Sequence, residues 1–292
     1  MPHIKSITTY PIKSCAGIAL EHCAVLPDGL KLDREWMLID AEGHFLSQRQ
    51  ASELALVKPS VSADGQGLIV SAVGMQDHAL PDASVLAASG KRYAVRLWRD
   101  DVRVIDAGEQ TAQWFSDFLG VKSRLVRFDE TAERTVDENW TVERSTTRLT
   151  DGFPFLFIGQ SSLDDLNSRL ASRGVASVEM SRFRPNVVVE GWEPFEEDYI
   201  ESVSITTERG SDLVFRLCKP CTRCVVTTID QATGKRRTSS PYEPLDTLSS
   251  FRRSPRMEGG IVFGQNAVVC AGAGCELQVG REVAAELAFP DP

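Results

Sequence analysis

Short strand-like runs bounded by turn residues are the feature that most constrains the fold of this chain. Residues 4–10, 68–73, 92–97 and 102–106 carry the β-branched and aromatic side chains that are typical of strands. Between residues 36 and 49, two such runs flank Ala-Glu-Gly, and this glycine allows the positive φ that a hairpin loop needs. Short strands separated by turns favour an antiparallel barrel or sandwich.

The second half of the chain adds more strands and a change of period. Apolar residues recur at helical spacing over 109–119 and over 163–170, and Pro244 indicates a third, short helix. The polar segment 129–148 is expected to be a loop that joins two lobes. The predicted fold class is mainly β with a few helices (α+β). Further strands are predicted at 153–158, 187–190, 203–206, 213–217, 225–229, 267–270 and 276–279.

The charge balance excludes some classes of partner. The chain has 32 basic and 41 acidic residues and a net charge of −9. Such a balance argues against non-specific nucleic-acid binding and against attraction to an anionic membrane surface. No apolar run approaches the roughly 20 residues that span a bilayer, and the first residues lack a signal-peptide layout. We therefore expect a cytoplasmic protein with neither a nucleic-acid nor a membrane partner.

Cysteine chemistry centres on the stretch 219–230, Lys-Pro-Cys-Thr-Arg-Cys followed by a β-branched run. The seven cysteines are an odd number, which favours reduced thiols over a disulfide framework. Cys224 stands next to the cation of Arg223 and the hydroxyl of Thr222, just before the strand predicted at 225–229. It is either a single ligand to a metal that brings its own chelator or a buried structural thiol.

Other candidate residues lie at strand ends or helix starts and suit anions. Lys13 and Ser14 follow a strand and a proline, where an ammonium and backbone N–H groups could hold a phosphate. A solvated surface lysine is the alternative. Arg34 lies between two carboxylates, so a surface ion pair competes with anion binding.

Two further segments offer the same choice. Ser162, with Asp165 three residues later, fits a helix N-terminal cap, and it could also help to bind an anion there. Arg184 and Asn186 in Arg-Phe-Arg-Pro-Asn precede a strand, where the arginine could clamp a phosphate or form a structural ion pair.

Several of these stretches, in this order along the chain, match one known family. With them, the chain resembles molybdenum-cofactor enzymes with an N-terminal MOSC β-barrel domain and a C-terminal MOSC domain, such as the mitochondrial amidoxime reducing component and its bacterial relatives. The resemblance implies an N-terminal MOSC β-barrel lobe over 1–125 and a MOSC β-barrel domain over 126–292. The matching stretches are Tyr-Pro-Ile-Lys-Ser-Cys-Ala-Gly at 10–17, Asp-Arg-Glu-Trp at 33–36, 155–166, Phe-Arg-Pro-Asn at 183–186, 219–230, 243–248 and Phe-Gly-Gln-Asn at 263–266.

The resemblance also implies roles for the candidate residues. Cys224 would be the protein ligand to the molybdenum of a Mo-molybdopterin cofactor and hence the catalytic residue. The residues implied to hold the pterin and its phosphate are Lys13, Ser14, Arg34, Ser162, Arg184, Asn186, Thr222 and Arg223.

The implied activity is reductive removal of oxygen from N-hydroxylated compounds, namely amidoximes, hydroxamic acids and N-hydroxylated bases. Electrons would come from a separate protein of the ferredoxin, flavoprotein reductase or cytochrome b5 type. A cofactor-binding, carrier or sulfur-transfer module is the alternative, because MOSC domains also occur in cofactor sulfurases. No pyridoxal-phosphate domain is recognisable in the sequence, so a sulfur-transfer module would need a separate sulfur donor.

Overall fold

The computed structural model describes residues 1–63, 65 and 67–288. Strands outnumber helices throughout, so the prediction of a mainly β chain with a few helices is confirmed. Within the described part of the chain, no helix is both long and apolar enough to cross a membrane.

The first part of the chain forms eleven strands and two α-helices. A 3₁₀ helix at Ser52–Leu56 precedes the sixth strand. The elements are β1 (His3–Thr9), β2 (Ile18–Leu20), β3 (His22–Leu26), β4 (Gly29–Leu30), β5 (Trp36–Asp40), β6 (Lys58–Val61), β7 (Leu68–Ser71), β8 (His78–Ala79), α1 (Ala83–Ser89), β9 (Arg92–Leu97), β10 (Asp100–Asp106), α2 (Glu109–Leu119) and β11 (Ser123–Phe128).

The remainder adds longer strands, two helices and further 3₁₀ turns. The α-helices and strands are β12 (Phe155–Gly159), α3 (Gln160–Ser172), β13 (Val187–Glu190), β14 (Ile200–Thr206), β15 (Asp212–Thr222), β16 (Ile229–Asp230), β17 (Lys235–Arg236), α4 (Leu245–Ser249), β18 (Arg253–Ser254), β19 (Gly260–Ala271), β20 (Glu276–Gln278) and β21 (Ala284–Leu287). The 3₁₀ helices are Glu138–Trp140, Met180–Arg182, Glu196–Asp198, Val225–Thr228 and Pro255–Met257.

The largest sheet joins the two ends of the chain. Eight of its nine strands follow the order β2-β1-β13-β12-β19-β15-β14-β21, and β18 pairs with β19 outside this path. β1 lies antiparallel to β13, with Ile7 opposite Val187, whereas β12 and β13 run parallel. A lobe boundary at 125/126 stays a prediction, and sheet hydrogen bonds connect the segments on either side of it.

A second sheet, β5-β11-β10-β9, carries the helix α2. The helix predicted at 109–119 is found at those residues, and Gly120 ends it with a left-handed φ of 67°. Trp114 and Phe115 of this helix are buried with Trp36, Leu38 and neighbouring apolar side chains. The apolar stripe of the helix is what holds it against the sheet.

Segment 129–148 was predicted to be a loop and is largely irregular, apart from the 3₁₀ turn Glu138–Trp140. It is nevertheless anchored, because Arg134 is buried. Its Nη1 donates to the carbonyls of Arg148 (2.8 Å) and Thr150 (2.7 Å), and its Nε donates to Asp100 Oδ2 at 2.7 Å. The loop therefore has a fixed path beside the second sheet.

The prediction of a strand at 225–229 is wrong for four of its five residues. Val225–Thr228 is a 3₁₀ turn, and only Ile229 belongs to a strand. The hydroxyl of Thr227 donates to the Cys224 carbonyl at 3.0 Å, and that of Thr228 donates to the Val225 carbonyl at 2.7 Å. Local hydroxyl bonds of this kind compete with a sheet ladder, which explains why a β-branched run turns instead.

The prediction that Ser162 caps α3 is also wrong. Gly159 is the N-cap residue, and no side chain caps this end of the helix. Ser162 is fully buried inside the first turn, where its hydroxyl donates to Glu197 Oε2 at 2.7 Å and accepts from the Phe195 N–H at 2.8 Å. Ser162 thus links α3 to the 195–198 turn.

Glycine 264 allows β19 to pass close to β12. It has a φ of +77°, and a Cβ at this position would lie 2.6 Å from Ile158 Cγ1 and 2.8 Å from the Phe157 carbonyl oxygen. Any side chain there therefore has both a backbone penalty and a steric clash with neighbouring backbone.

Gly264→Ala is expected to lower the free energy of unfolding by roughly 2–4 kcal/mol, since strain and clash add. The measurement is chemical denaturation monitored by circular dichroism. Gly280→Ala is the matched control, because Gly280 has a φ of +82° but no atom within 4 Å of its Cβ position. An equal loss in both variants would show that the close approach to β12 contributes nothing.

Because of Glu197, we expect the free energy of unfolding to depend on pH. It is fully buried, and this burial raises its pKa to about 7, although the hydrogen bond from Ser162 opposes the shift. The unfolded chain ionises this group near its ordinary pKa of about 4.3. Between these two pKa values the folded state binds more protons than the unfolded state does. The contribution of Glu197 to the free energy of unfolding therefore falls as the pH rises towards 7.

We therefore expect the free energy of unfolding of Glu197→Gln, relative to that of wild type, to increase by roughly 2–3 kcal/mol when the pH is raised from 5 to 8. Denaturant unfolding at both pH values tests the difference. Glu193→Gln removes an exposed carboxylate from the same connection and serves as the control. If the difference in unfolding free energy between Glu197→Gln and wild type did not change with pH, the raised pKa of Glu197 would be contradicted.

Candidate functional site

One cavity brings together eight of the nine predicted site residues. Its volume is about 930 Å³, including the opening to solvent. The ninth residue, Ser162, lies in α3 and does not line the cavity. The eight predicted residues that line it are Lys13, Ser14, Arg34, Arg184, Asn186, Thr222, Arg223 and Cys224.

Cys224 lies two residues after the end of β15, as the N-cap residue of the 3₁₀ turn Val225–Thr228. Its backbone is extended, with a φ of −123°, and its carbonyl accepts hydrogen bonds from the Thr227 N–H (3.1 Å) and hydroxyl. The side chain is half-buried and lines the cavity. Within the described part of the chain, its thiol forms no hydrogen bond or disulfide. The backbone is therefore fixed while the sulfur stays available.

Arg223 lines the cavity and holds this position through hydrogen bonds from its guanidinium to backbone carbonyls. Its Nε and Nη2 donate to the Phe263 carbonyl at 2.8 and 2.6 Å, and its Nη1 donates to the Phe183 carbonyl at 2.9 Å. Its main-chain N–H also donates to Ile261. Arg223 thus ties the end of β15 to β19 and to the segment before β13, whereas the neighbouring Thr222 is exposed.

Tyr10 forms a platform for two arginines. The guanidinium carbons of Arg34 and Arg184 lie 4.3 and 4.2 Å from the centre of its ring, within the range of cation–π attraction. Both arginines have a left-handed backbone, with φ values of 46° and 55°. Such strained conformations persist only where the surroundings enforce them, so both positions are set by the fold.

Arg184 has an unused donor. Its Nη1 donates to the Cys15 carbonyl at 2.7 Å, but its Nη2 is buried and has no hydrogen-bond partner among the described residues. Burial lowers the pKa of Arg184 to about 10, so the side chain still carries its charge at neutral pH. A buried, charged N–H without a partner is costly unless a ligand accepts its hydrogen bond.

Asp33 organises this end of the cavity, and the sequence reasoning did not select it. Its fully buried carboxylate accepts hydrogen bonds from the Tyr10 N–H (2.8 Å), Asn186 Nδ2 (3.0 Å) and Arg34 Nη1. Asn186 Oδ1 accepts from Arg34 Nη1 (3.2 Å) and from the Leu156 N–H (3.2 Å). Asn186 is fully engaged in orienting the arginine. Arg34 therefore does form the ion pair that was considered as an alternative, with Asp33, but this pair is buried and not at the surface.

Lys13 is buried, so the surface-lysine alternative is wrong. Its Nζ donates to the Leu149 carbonyl at 3.0 Å and to Asp151 Oδ1 at 2.5 Å. Burial lowers the pKa of Lys13, while Asp151 opposes that shift. The adjacent Ser14 adopts a φ of 71°, and its carbonyl accepts from Gln48 Nε2 at 2.7 Å.

No sequence motif or spacing marked some other residues of the cavity wall as part of a site. Trp98 lies in the turn between β9 and β10, and Arg49 follows the turn after β5. The Arg49 guanidinium carbon lies 4.6 Å from the centre of the Trp98 ring, and both residues line the cavity with Phe153. These segments are far apart along the chain, so only the tertiary fold places them beside Cys224.

The chain matches two family models in succession. Residues 1–122 match the MOSC N-terminal beta barrel domain, and residues 144–284 match the MOSC domain. Arg34 and Lys13 thus fall in the first match, while Cys224 and Arg184 fall in the second. The cavity is built from both.

Curated relatives agree with this pattern. The chain is 33% identical over 259 residues to mitochondrial amidoxime reducing component 2 of Rattus norvegicus, which covers 85% of this chain and 72% of that protein. It is 33% identical over 275 residues to mitochondrial amidoxime-reducing component 1 of Mus musculus, with 90% and 76% covered. It is also 30% identical to the molybdenum cofactor sulfurase of Oryza sativa, over 96% of this chain but 35% of that protein. The chain therefore belongs to the family of MOSC proteins with an N-terminal MOSC β-barrel domain, which includes the mitochondrial amidoxime reducing components.

Proposed function

We propose that this protein is a molybdenum-cofactor-dependent reductase that removes oxygen from N-hydroxylated compounds. The observation that carries the proposal is that one cavity holds both the Cys224 thiol and the buried Nη2 of Arg184, neither of which has a hydrogen-bond partner among the described residues. A thiolate is a soft metal ligand, and a guanidinium is suited to phosphate oxygens. The cavity therefore offers one group for each end of a metal–pterin phosphate.

The residues present fit such a cofactor at both ends. Arg184 would donate its free N–H to an anionic group, and Arg34 and Lys13, which are paired with Asp33 and Asp151, line the same wall. Asn186 and Asp33 would keep Arg34 in place, as their hydrogen bonds already do. At the other end, Cys224 would supply the protein's thiolate. Arg223 would position that ligand through backbone carbonyls.

When bound, the cofactor supplies two-electron redox chemistry at its metal. The chain supplies the thiolate, the grip on the cofactor and the shape of the access route. Trp98 and Phe153 give that route flat apolar surfaces beside Cys224. Such surfaces suit the planar amidoxime, hydroxamate and N-hydroxylated base groups that we propose as substrates.

A separate electron-transfer protein is part of the proposal. The mouse and rat relatives are named as amidoxime reducing components, and this is the reason for proposing the same chemistry. The electron donor would be of the ferredoxin, flavoprotein reductase or cytochrome b5 type, and a cytoplasmic location stays a prediction.

A cofactor-binding, carrier or sulfur-transfer module is the second candidate. It is favoured by the 30% identity to the rice molybdenum cofactor sulfurase across 96% of this chain. In a sulfur-transfer module Cys224 would carry sulfur and would not ligate a metal. Near-stoichiometric molybdenum in the wild-type protein, purified from a molybdate-replete host that makes the cofactor, excludes that module, and no molybdenum supports it. Reduction of an N-hydroxylated compound with an artificial electron donor then separates the reductase from a cofactor-binding or carrier module.

Cys224→Ser is expected to lower the rate of benzamidoxime reduction about a hundredfold or more, because a hydroxyl is a poor substitute for a soft thiolate ligand. The assay uses an artificial electron donor, and circular dichroism checks the fold. Cys270→Ser, which replaces an exposed cysteine on β19, is the control. Full activity in the Cys224 variant would refute the ligand assignment.

Arg184→Ala is expected to weaken cofactor retention about tenfold or more, since a charge-assisted hydrogen bond contributes roughly 1.5–3 kcal/mol. Molybdenum and pterin content after extensive dialysis measure the loss independently of activity. Arg236→Ala, at an exposed site on β17, is the matched control. Unchanged pterin content in the Arg184 variant would contradict its role.

A further inference from the structure

A second depression adjoins the cavity on the Cys224 side, and we name it the outer vestibule. It shares Arg49, Trp98, Phe153 and Cys224 with the cavity, and it extends to Lys219, which does not line the cavity. Anything that reaches Cys224 from this side passes these residues. The charges of the vestibule therefore bear on which compounds approach.

Most charged groups of the vestibule are already neutralised or engaged. Arg99 pairs with Asp137 at 3.0 Å, and Arg134 pairs with Asp100 at 2.7 Å. Asp151 pairs with Lys13 at 2.5 Å. These carboxylates are thus committed to other cations. The Arg223 guanidinium donates to backbone carbonyls, as described above.

Lys219 and Arg49 are the exceptions. Within the part of the chain that the structure describes, neither side chain has a carboxylate partner or a hydrogen bond. Each cation instead lies over aromatic rings. The Lys219 Nζ is 5.0 Å from the ring centre of Trp140 and 5.5 Å from that of Phe153.

Aromatic contacts orient a cation without neutralising it. Lys219 and Arg49 are therefore held at the vestibule wall with their positive charge available. The protein as a whole has a net charge of −9, which repels small anions. A local pair of unneutralised cations is what an anionic group would need to enter against that field.

We propose that the outer vestibule binds an oxyanion substituent of the substrate. The substrate class is a planar N-hydroxylated compound that carries a carboxylate or phosphate group. Lys219 is the principal contact and Arg49 the second. This inference rests on the proposed reductase function, and it names the substrate class of that same site.

The test compares 4-carboxybenzamidoxime, 4-phosphonobenzamidoxime and neutral benzamidoxime as substrates of the cofactor-loaded protein. The readout is the ratio of kcat/KM for each anionic compound to that for the neutral one. In Lys219→Met the ratio is expected to fall about twofold to fivefold, as for removal of a partly exposed charge pair. Lys219→Arg should keep most of the ratio, because the charge is retained. Comparing the two anions shows which oxyanion is preferred.

Lys58→Met is the matched control. Lys58 is an exposed lysine on β6 that lines neither the cavity nor the vestibule. Both ratios should match those of wild type in this variant. Raising the salt concentration should narrow the difference between wild type and Lys219→Met, since screening weakens an exposed charge contact.

A binding titration separates failure of this inference from failure of the proposed function. Calorimetry measures the affinity of 4-carboxybenzamidoxime for the oxidised protein, without an electron donor. Weaker binding to Lys219→Met than to Lys58→Met supports the vestibule site even if no compound is reduced. Equal binding to both variants, or an unchanged kcat/KM ratio while benzamidoxime is still reduced, overturns the inference.

Discussion

The buried carboxylate of Asp33 is the interaction on which the cofactor end of the site depends. It accepts hydrogen bonds from the end of the first strand, from Arg34 and from Asn186, which lies about 150 residues further along the chain. A buried carboxylate is stable only when cations and donors surround it. Asp33 meets this condition, and in doing so it joins segments from both family matches into one wall.

Cations in this protein have two different roles, and their hydrogen bonds distinguish them. Arg182 is almost fully buried and donates to the Thr228 carbonyl and to Asp230, both at 2.9 Å. With Arg223 on the other side, it fixes the turn that follows Cys224. Such arginines build the site. Among the described residues, Arg184 keeps an unused donor, while Arg49 and Lys219 keep charge that no carboxylate neutralises, so these groups are available to bind a ligand.

In both local predictions that were wrong, a side-chain hydroxyl has a hydrogen-bond partner that the predicted element did not include. The β-branched run after Cys224 has the composition of a strand, but its threonine hydroxyls bond to carbonyls three residues earlier and stabilise a turn. Ser162 has the residue type of a helix cap, but a buried Glu197 takes its hydroxyl instead. In the first case local hydrogen bonds outweighed the strand composition, and in the second case a partner 35 residues away took the hydroxyl. Sequence spacing reveals neither outcome.

The sequence by itself determined the mainly β class, the helix at 109–119 and the family, because period, capping glycine and motif order are properties of neighbouring residues. It also selected Cys224 and seven other residues that line the cavity. Only the tertiary structure decided which of them are available. Arg223 and Asn186 are engaged in holding neighbours, Ser162 lies away from the cavity, and Asp33, Trp98 and Lys219 gain importance from what packs against them. Burial and hydrogen-bond partners depend on contacts between distant segments, and these form only when the sheets assemble.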